Sequence, residues 1–370
     1  MNEINIDSII ENLKTSPIFN LSLSSRELFH SNFLYWIANN YPKEFGSMFF
    51  DFLKVKPKGS LITDIEREKK NIDLSFKYEN SQQILIENKV KSIPYKEQLE
   101  RYSKNSNPNK NFILLSLTKP NFELEDWILM SYEELHTKLD ELIQNITNRY
   151  HKDIIIDYIS FITELVKVDK LCQLNVDEKF NYHSVEKNHV YKKLQLIRLH
   201  DLYLKKKYEL FAYKIFEKLN HKRHCIFGEK HDWKSKNQTI FINHGMTRAQ
   251  GLTDIKYKIS DNVLLCIQIQ GEHFRLAIED NNGEDANRIK EKLLHDKLWF
   301  VFENYFKTND LIIYPTSIDK TFNKYGKVFY YQSIKLGTKY KISDLIEIII
   351  KYIEHIDNNF ESINSLTLKE

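Results

Sequence analysis

Asp73 lies fourteen residues before Glu87, and Lys89 follows Glu87 by two. Two carboxylates are hard oxygen donors of the kind that hold Mg2+ or Mn2+. An ammonium beside them can orient or help deprotonate a water and offset charge developing on a phosphate. That chemistry requires the chain to fold back between the two acids, and the surrounding pattern says that it does. Ile72, Leu74 and Phe76 alternate with Asp73, Ser75 and Lys77, a polar stretch covers 79–83, and 84–90 is a second extended run. Together these read as strand, turn, strand. In the second strand, alternation puts Leu85, Glu87 and Lys89 on one face and Ile84, Ile86, Asn88 and Val90 on the other. The bland alternative is a solvent-facing charge network, because isolated surface ion pairs need do nothing. Charged groups interrupting two apolar strands on converging faces favour the chemical reading, since a core rejects unpaired charge.

The elements that must hold this hairpin are legible on both sides of it. Residues 27–53 carry Leu28, Phe29, Phe33, Leu34, Trp36, Ile37, Phe49, Phe50 and Phe52, with Pro42 in the interior, and read as two amphipathic helices joined near Tyr41 and Pro42. A basic, turn-like connection at 54–60 leads into an acidic, extended region. Pro94 starts or immediately precedes a helix containing Gln98, Leu99 and Tyr102, and 111–117 is an apolar run suited to a buried strand. The order is helix, strand, strand, helix, strand. Leu135, Leu139, Leu142 and Ile146, then Ile155, Tyr158, Ile159, Ile162 and Leu165, give two helical segments able to cover a sheet. Beyond 188 the pattern predicts a long helix to 219, interrupted or bent. Four short strands at 239–243, 254–259, 263–270 and 274–278 come next, then a helix over 291–306, a strand over 329–334, and a closing helix from Ser343 to 360.

The chain has 370 residues, 42% of them hydrophobic, enough for one large domain or two ordinary ones. Lys plus Arg outnumber Asp plus Glu by 54 to 51, so net charge alone announces no nucleic-acid partner. Its distribution is more informative. Residues 187–236 hold fourteen Lys or Arg against five Asp or Glu, interleaved with Tyr191, Tyr203, Tyr208, Phe211 and Tyr213. Such a surface can receive phosphates, or it can be a solvated helix whose aromatic stripe packs inward. Arg248, in the run His244-Gly245-Met246-Thr247-Arg248, is a candidate substrate contact on a loop. Three dispersed cysteines, Cys172, Cys225 and Cys266, give no disulfide framework and fit a reducing compartment. The polar, acidic beginning lacks the features of a secretory signal and no apolar run approaches the roughly 20 residues of a membrane span. The expectation is a cytoplasmic protein without a membrane partner. No P-loop pattern is present, which argues against ATP-driven translocation.

Through Ile72-Asp73, the hairpin and Glu87-Asn88-Lys89, the sequence resembles the PD-(D/E)XK nuclease superfamily, with Ile72 in the place of the usual proline. Glu27 with His30-Ser31, Arg67, and Gln98-Leu99-x-x-Tyr102 look like a subgroup of these nucleases with additional helical signatures. The resemblance implies an α/β fold, a restriction-endonuclease-like mixed sheet flanked by helices, here followed by a second α+β region. It implies that Asp73 and Glu87 ligate Mg2+ or Mn2+, that Lys89 positions or activates water, and that Glu27 is an additional acid near the metal. Gln98 becomes a catalytic or phosphate-contacting residue, and Arg67 and Tyr102 become substrate contacts. Residues 1–175 would form the nuclease-like domain and 176–370 a helical and β-rich region for substrate recognition or oligomerisation. The implied activity is metal-dependent hydrolysis of DNA, as in restriction or phage defence. The alternative is a nuclease-like module that binds nucleic acid or protein without cutting.

Overall fold

The computed structural model describes residues 4–23, 26–53, 55–69, 71–79, 82–104, 109–180, 189–302, 307–308, 311–312, 318–336 and 340–368. The chain divides into two compact units, residues 1–172 with 190–203, and residues 173–189 with 204–370.

The first unit begins with helices α1 (Ile6–Thr15), α2 (Pro17–Leu21), α3 (Glu27–Asn40) and α4 (Pro42–Ser47), followed by strands β1 (Ile62–Lys69), β2 (Ile72–Tyr78) and β3 (Gln83–Lys89). Helix α5 (Lys96–Ser103), β4 (Lys110–Ser116), β5 (Trp127–Ser131), α6 (Tyr132–Leu142), α7 (Arg149–Leu171) and α8 (His189–Leu196) complete it. The strands form one sheet in the order β1-β2-β3-β4-β5. The β1–β2 and β2–β3 pairs are antiparallel, β3–β4 and β4–β5 parallel. This is the mixed sheet flanked by helices that the resemblance implies. The charged run Ile62-Thr63-Asp64-Ile65-Glu66-Arg67-Glu68-Lys69 reads in sequence only as an acidic, extended region; it is an edge strand. Most of its residues are exposed, and an edge needs no apolar face.

Helix α3 packs on β1, β2 and β3, burying His30, Ser31, Phe33, Leu34, Ile37 and Ala38. Its N-cap is Arg26, whose side chain makes no capping bond. Pro42 separates it from α4, as the sequence predicts, but α4 is short. Gly46 explains the close seating of α4. A Cβ there would stand 2.0 Å from the Ser60 carbonyl oxygen and 2.7 Å from Ile62 Cγ2, and the Tyr78 hydroxyl donates to the Gly46 carbonyl at 2.6 Å.

Beneath α3 runs a buried polar chain. His30 Nδ1 meets the Tyr158 hydroxyl at 2.9 Å, the His30 ring stands edge-on to Tyr132 at 5.7 Å between centroids, and Tyr132 donates to Asn88 Oδ1 at 2.8 Å. Asn88 Nδ2 in turn donates to Ser31 Oγ at 3.3 Å. This joins α3, α6, α7 and β3 through groups that are costly to bury unpaired. Burial pushes the His30 pKa down to about 3.

The second unit takes in residues 173–189 and then α9 (His200–Asn220), which starts in the first unit, from residue 204 onward. Strands β6 (Cys225–Phe227), β7 (Ile240–Thr247), β8 (Gln250–Lys258), β9 (Val263–Gln270) and β10 (His273–Asp280) follow, then α10 (Asp285–His295), β11 (Lys307–Thr308) and β12 (Leu311–Ile312). The unit ends with β13 (Ile318–Tyr325), β14 (Phe329–Lys335), α11 (Ile342–Asn358) and α12 (Phe360–Ser365). Seven strands form a separate sheet in the order β13-β14-β10-β9-β8-β7-β6. Gly251 lets β8 meet α9, since a Cβ there would lie 2.2 Å from the Tyr208 ring.

Three local expectations need correction. The helix read over 291–306 spans Asp285–His295. It stops because Leu298 N–H bonds the Leu293 carbonyl and Lys297 N–H the Leu294 carbonyl, with Lys297 left-handed at φ 55°. This is a Schellman ending. Trp299, Phe300 and Phe302 are buried outside the helix, and 303–306 lie outside the described residues. Ser343 is inside α11, whose N-cap is Lys341. Gly245 lies within β7; the turn to β8 is Arg248-Ala249, with φ 50° and 60° between the paired Thr247 and Gln250.

Two measurements test this packing. Gly46→Ala is expected to cost about 1–3 kcal/mol through overpacking, read as a lower denaturation midpoint. Because the folded His30 pKa lies below the ordinary 6.5, its contribution is complete above pH 6.5 and fades as acid protonates the unfolded chain. Between pH 7 and pH 5 the wild type should lose about 2 kcal/mol more stability than His30→Gln. Parallel pH profiles for the two proteins would refute this.

Candidate active site

The hairpin register assembles the site. Strands β2 and β3 pair Leu74 with Ile86 and Ser75 with Leu85, so the next step places Asp73 opposite Glu87, on the same face. The backbone N–H of Asn88 donates to Asp73 Oδ2 at 2.7 Å, fixing that carboxylate against β3. Lys89, two residues beyond Glu87 on that face, places Nζ 2.8 Å from Glu87 Oε1. Gln98, in the first turn of α5, donates Nε2 to the same oxygen at 2.7 Å and contacts the Tyr102 hydroxyl at 3.1 Å. Leu99 anchors α5 by burying itself with Phe112, Leu114 and Trp127.

Burial governs the electrostatics. Glu87 is 3% exposed and Lys89 9%. Desolvation pushes the Glu87 pKa up to about 7, against the pull of Lys89 and with help from Asp73 and Glu27. Asp73 is also raised, first by desolvation, while the Asn88 N–H and Lys89 oppose the shift. Desolvation disfavours the Lys89 ammonium, but Glu87, Glu27 and Asp73 outweigh it and its pKa is raised. While Glu87 Oε1 is held by Lys89 and Gln98, Oε2 is buried without a hydrogen-bond partner.

The other residues singled out in sequence occupy different places. Glu27 Oε1 accepts from the Val90 N–H at 3.3 Å, the Ser92 N–H at 2.7 Å and the Ser92 hydroxyl. That oxygen fastens the segment after β3 to α3, while its charge reaches Asp73, Glu87 and Lys89. Arg67 pairs with Leu74 and so stands on the face opposite Asp73. It bonds Asn32 Oδ1 and lies over the Tyr35 ring. Register instead sets Glu68 opposite Asp73, where it raises the Asp73 pKa. Its place beside Asp73 depends on the irregularity between Thr63 and Glu66 in β1. Arg248 sits in the β7–β8 turn of the second unit. The structure thus gathers Asp73, Glu87, Lys89, Gln98 and Tyr102, with Glu27 bordering them, and does not gather Arg67.

Among the described residues, no group of three or more His, Cys, Asp or Glu side chains is arranged to hold a metal ion. The donor set still fits a hard divalent cation in part. Two carboxylates share a face, one offers a buried oxygen without a partner, and such ions complete their shells with water and substrate oxygens. Among the described residues, no helix is long and apolar enough to cross a membrane.

No curated protein and no solved structure matches this chain. The family model of the PD-(D/E)XK nuclease superfamily matches residues 17–160, a segment running from α2 into α7 and containing the whole mixed sheet, so a domain of that superfamily is detected there.

Proposed function

We propose that the chain is a divalent-metal-dependent nuclease hydrolysing DNA phosphodiester bonds, with its active site on the β2–β3 hairpin. The observation that carries this reading is the buried, unpartnered Glu87 Oε2 beside Lys89 and across from Asp73, inside a nuclease-superfamily domain. A carboxylate oxygen without a partner in a desolvated site costs free energy that a cation would recover. Asp73 and Glu87 would hold Mg2+ or Mn2+, and the bound ion would polarise the phosphate and acidify its water. Lys89 places a positive charge where phosphoryl charge develops. Gln98 keeps the Glu87 carboxylate oriented, and Tyr102 steadies Gln98. Glu27 holds the end of β3 in place and adds negative charge at the border of the site.

Within the superfamily, Glu27 with His30-Ser31 and Gln98-Leu99-x-x-Tyr102 support a subgroup defined by these two helices. The first unit is read as the catalytic domain, and the second as a region for substrate recognition or self-association, with Arg248 a substrate contact. Restriction or phage defence is the use to which such an enzyme is best suited.

Cleavage of supercoiled DNA should require Mg2+ or Mn2+ and stop on chelation. Asp73→Ala and Lys89→Ala should each lower the rate at least a hundredfold with the fold intact, an effect of the size expected for charge-stabilising groups. DNA binding without cleavage by the wild type across supercoiled, linear and single-stranded substrates would assign the chain to the binding-module alternative instead. Gln98→Ala should weaken metal affinity or activity by about 10- to 100-fold, the usual cost of losing a ligand's supporting bond. A metal titration in which this variant matches the wild type in both would exclude the positioning role.

A further inference from the structure

The second unit contains a cavity of about 690 Å³ formed by the turn after α9, the loop preceding β7, β8 and the end of α11. That volume lies within the range of small-molecule sites, but its chemistry is unlike that of an apolar pocket. Its lining contains no aliphatic side chain. Lys222, Arg223 and Lys236 bring three cations to it, and Asp357 the one carboxylate. The carboxylate is already engaged: Arg223 Nε reaches Asp357 Oδ2 at 2.7 Å and the Tyr257 hydroxyl donates to Asp357 Oδ1 at 2.6 Å. This braces Arg223 and leaves the balance of the cavity positive. Among the described residues, Lys222 and Lys236 form no ion pair. Thr239, only 1% exposed, keeps its hydroxyl buried without a hydrogen-bond partner at the cavity wall.

A buried hydroxyl without a partner is rare enough to need a reason. Polar ligands supply one, and the surrounding cations select an anion. The cavity is too large for one inorganic phosphate and has the dimensions of a nucleotide. We propose that it binds a phosphoryl group carried on a nucleotide-sized ligand, with Lys222, Lys236 and the braced Arg223 meeting the phosphate and Thr239 completing its hydrogen bonding. The phosphoryl group belongs either to a free nucleotide or to a nucleotide of a DNA strand. This inference is independent of the metal site in the first unit.

The full-length protein is titrated calorimetrically with ATP, dAMP and pyrophosphate. Its binding to 5′-phosphorylated and unphosphorylated DNA oligonucleotides is followed by fluorescence anisotropy, in chelator to suppress cleavage. Lys222→Ala/Lys236→Ala, at two exposed positions, should weaken the ligand at least tenfold and retain the wild-type melting temperature. Thr239→Val, nearly isosteric, should weaken it severalfold. A loss confined to the calorimetric arm identifies a free nucleotide, and one confined to the DNA arm identifies the strand. If no probe binds, or if the double variant binds every probe as the wild type does, the proposal is overturned, whatever the result of the cleavage assay.

Discussion

Everything at the candidate site follows from placing two carboxylates and an ammonium on one face of a β-hairpin and removing them from water. Desolvation is the largest influence on Asp73, Glu87 and Lys89 alike. The fold offsets it with directed bonds: Lys89 and Gln98 to one oxygen of Glu87, the Asn88 N–H to Asp73. The offset is incomplete at Glu87 Oε2. A protein selected for stability alone would do better with an apolar residue there, because well-packed hydrophobic replacements of buried ion pairs are often neutral or stabilising. The chain retains the charges at this cost.

The hairpin and its helices were legible because each obeys a single period. Alternation over 72–78 and 83–89 gave the faces of Asp73, Glu87 and Lys89 directly, and Pro42 marked the break between α3 and α4. What sequence reading missed lies where tertiary context decides. Strand β1 carries too few apolar residues to announce itself, so Arg67 was assigned to the site when register turns it toward Asn32 and Tyr35. The end of the helix at His295 was missed for a related reason, while the interruption of the 188–219 helix was expected but not placed. Arg198 and Lys297 occupy left-handed positions at φ 56° and 55°, where a glycine would have been the signal. Both make the paired Schellman bonds without one.

The segment leaving β3 shows how distant sequence holds local geometry. Glu27 takes the Val90 and Ser92 N–H groups, and Lys91 donates to the Arg198 carbonyl at 2.9 Å and pairs with Asp201 at 3.0 Å. Those last partners lie in residues 190–203, the stretch that returns to the first unit after the chain has entered the second. The return therefore has a structural consequence: without it, one of the two braces on the end of β3 would be absent. The superfamily match ends at residue 160, so Arg198 and Asp201 lie beyond the matched segment.

Asn88 is where stability and chemistry meet. Its side chain points away from the site, into the buried chain of Tyr132, Tyr158, His30 and Ser31. Its backbone N–H, on the strand between Glu87 and Lys89, holds Asp73. A strand residue can do both because side chains alternate between faces while the backbone donor lies in the plane of the sheet. The depth of the polar chain then sets how firmly β3 is seated. A rotation or slip of that strand would cost several buried hydrogen bonds at once, each without water to replace it. The position of Asp73 relative to Glu87 is thus held by core groups on the opposite side of the sheet.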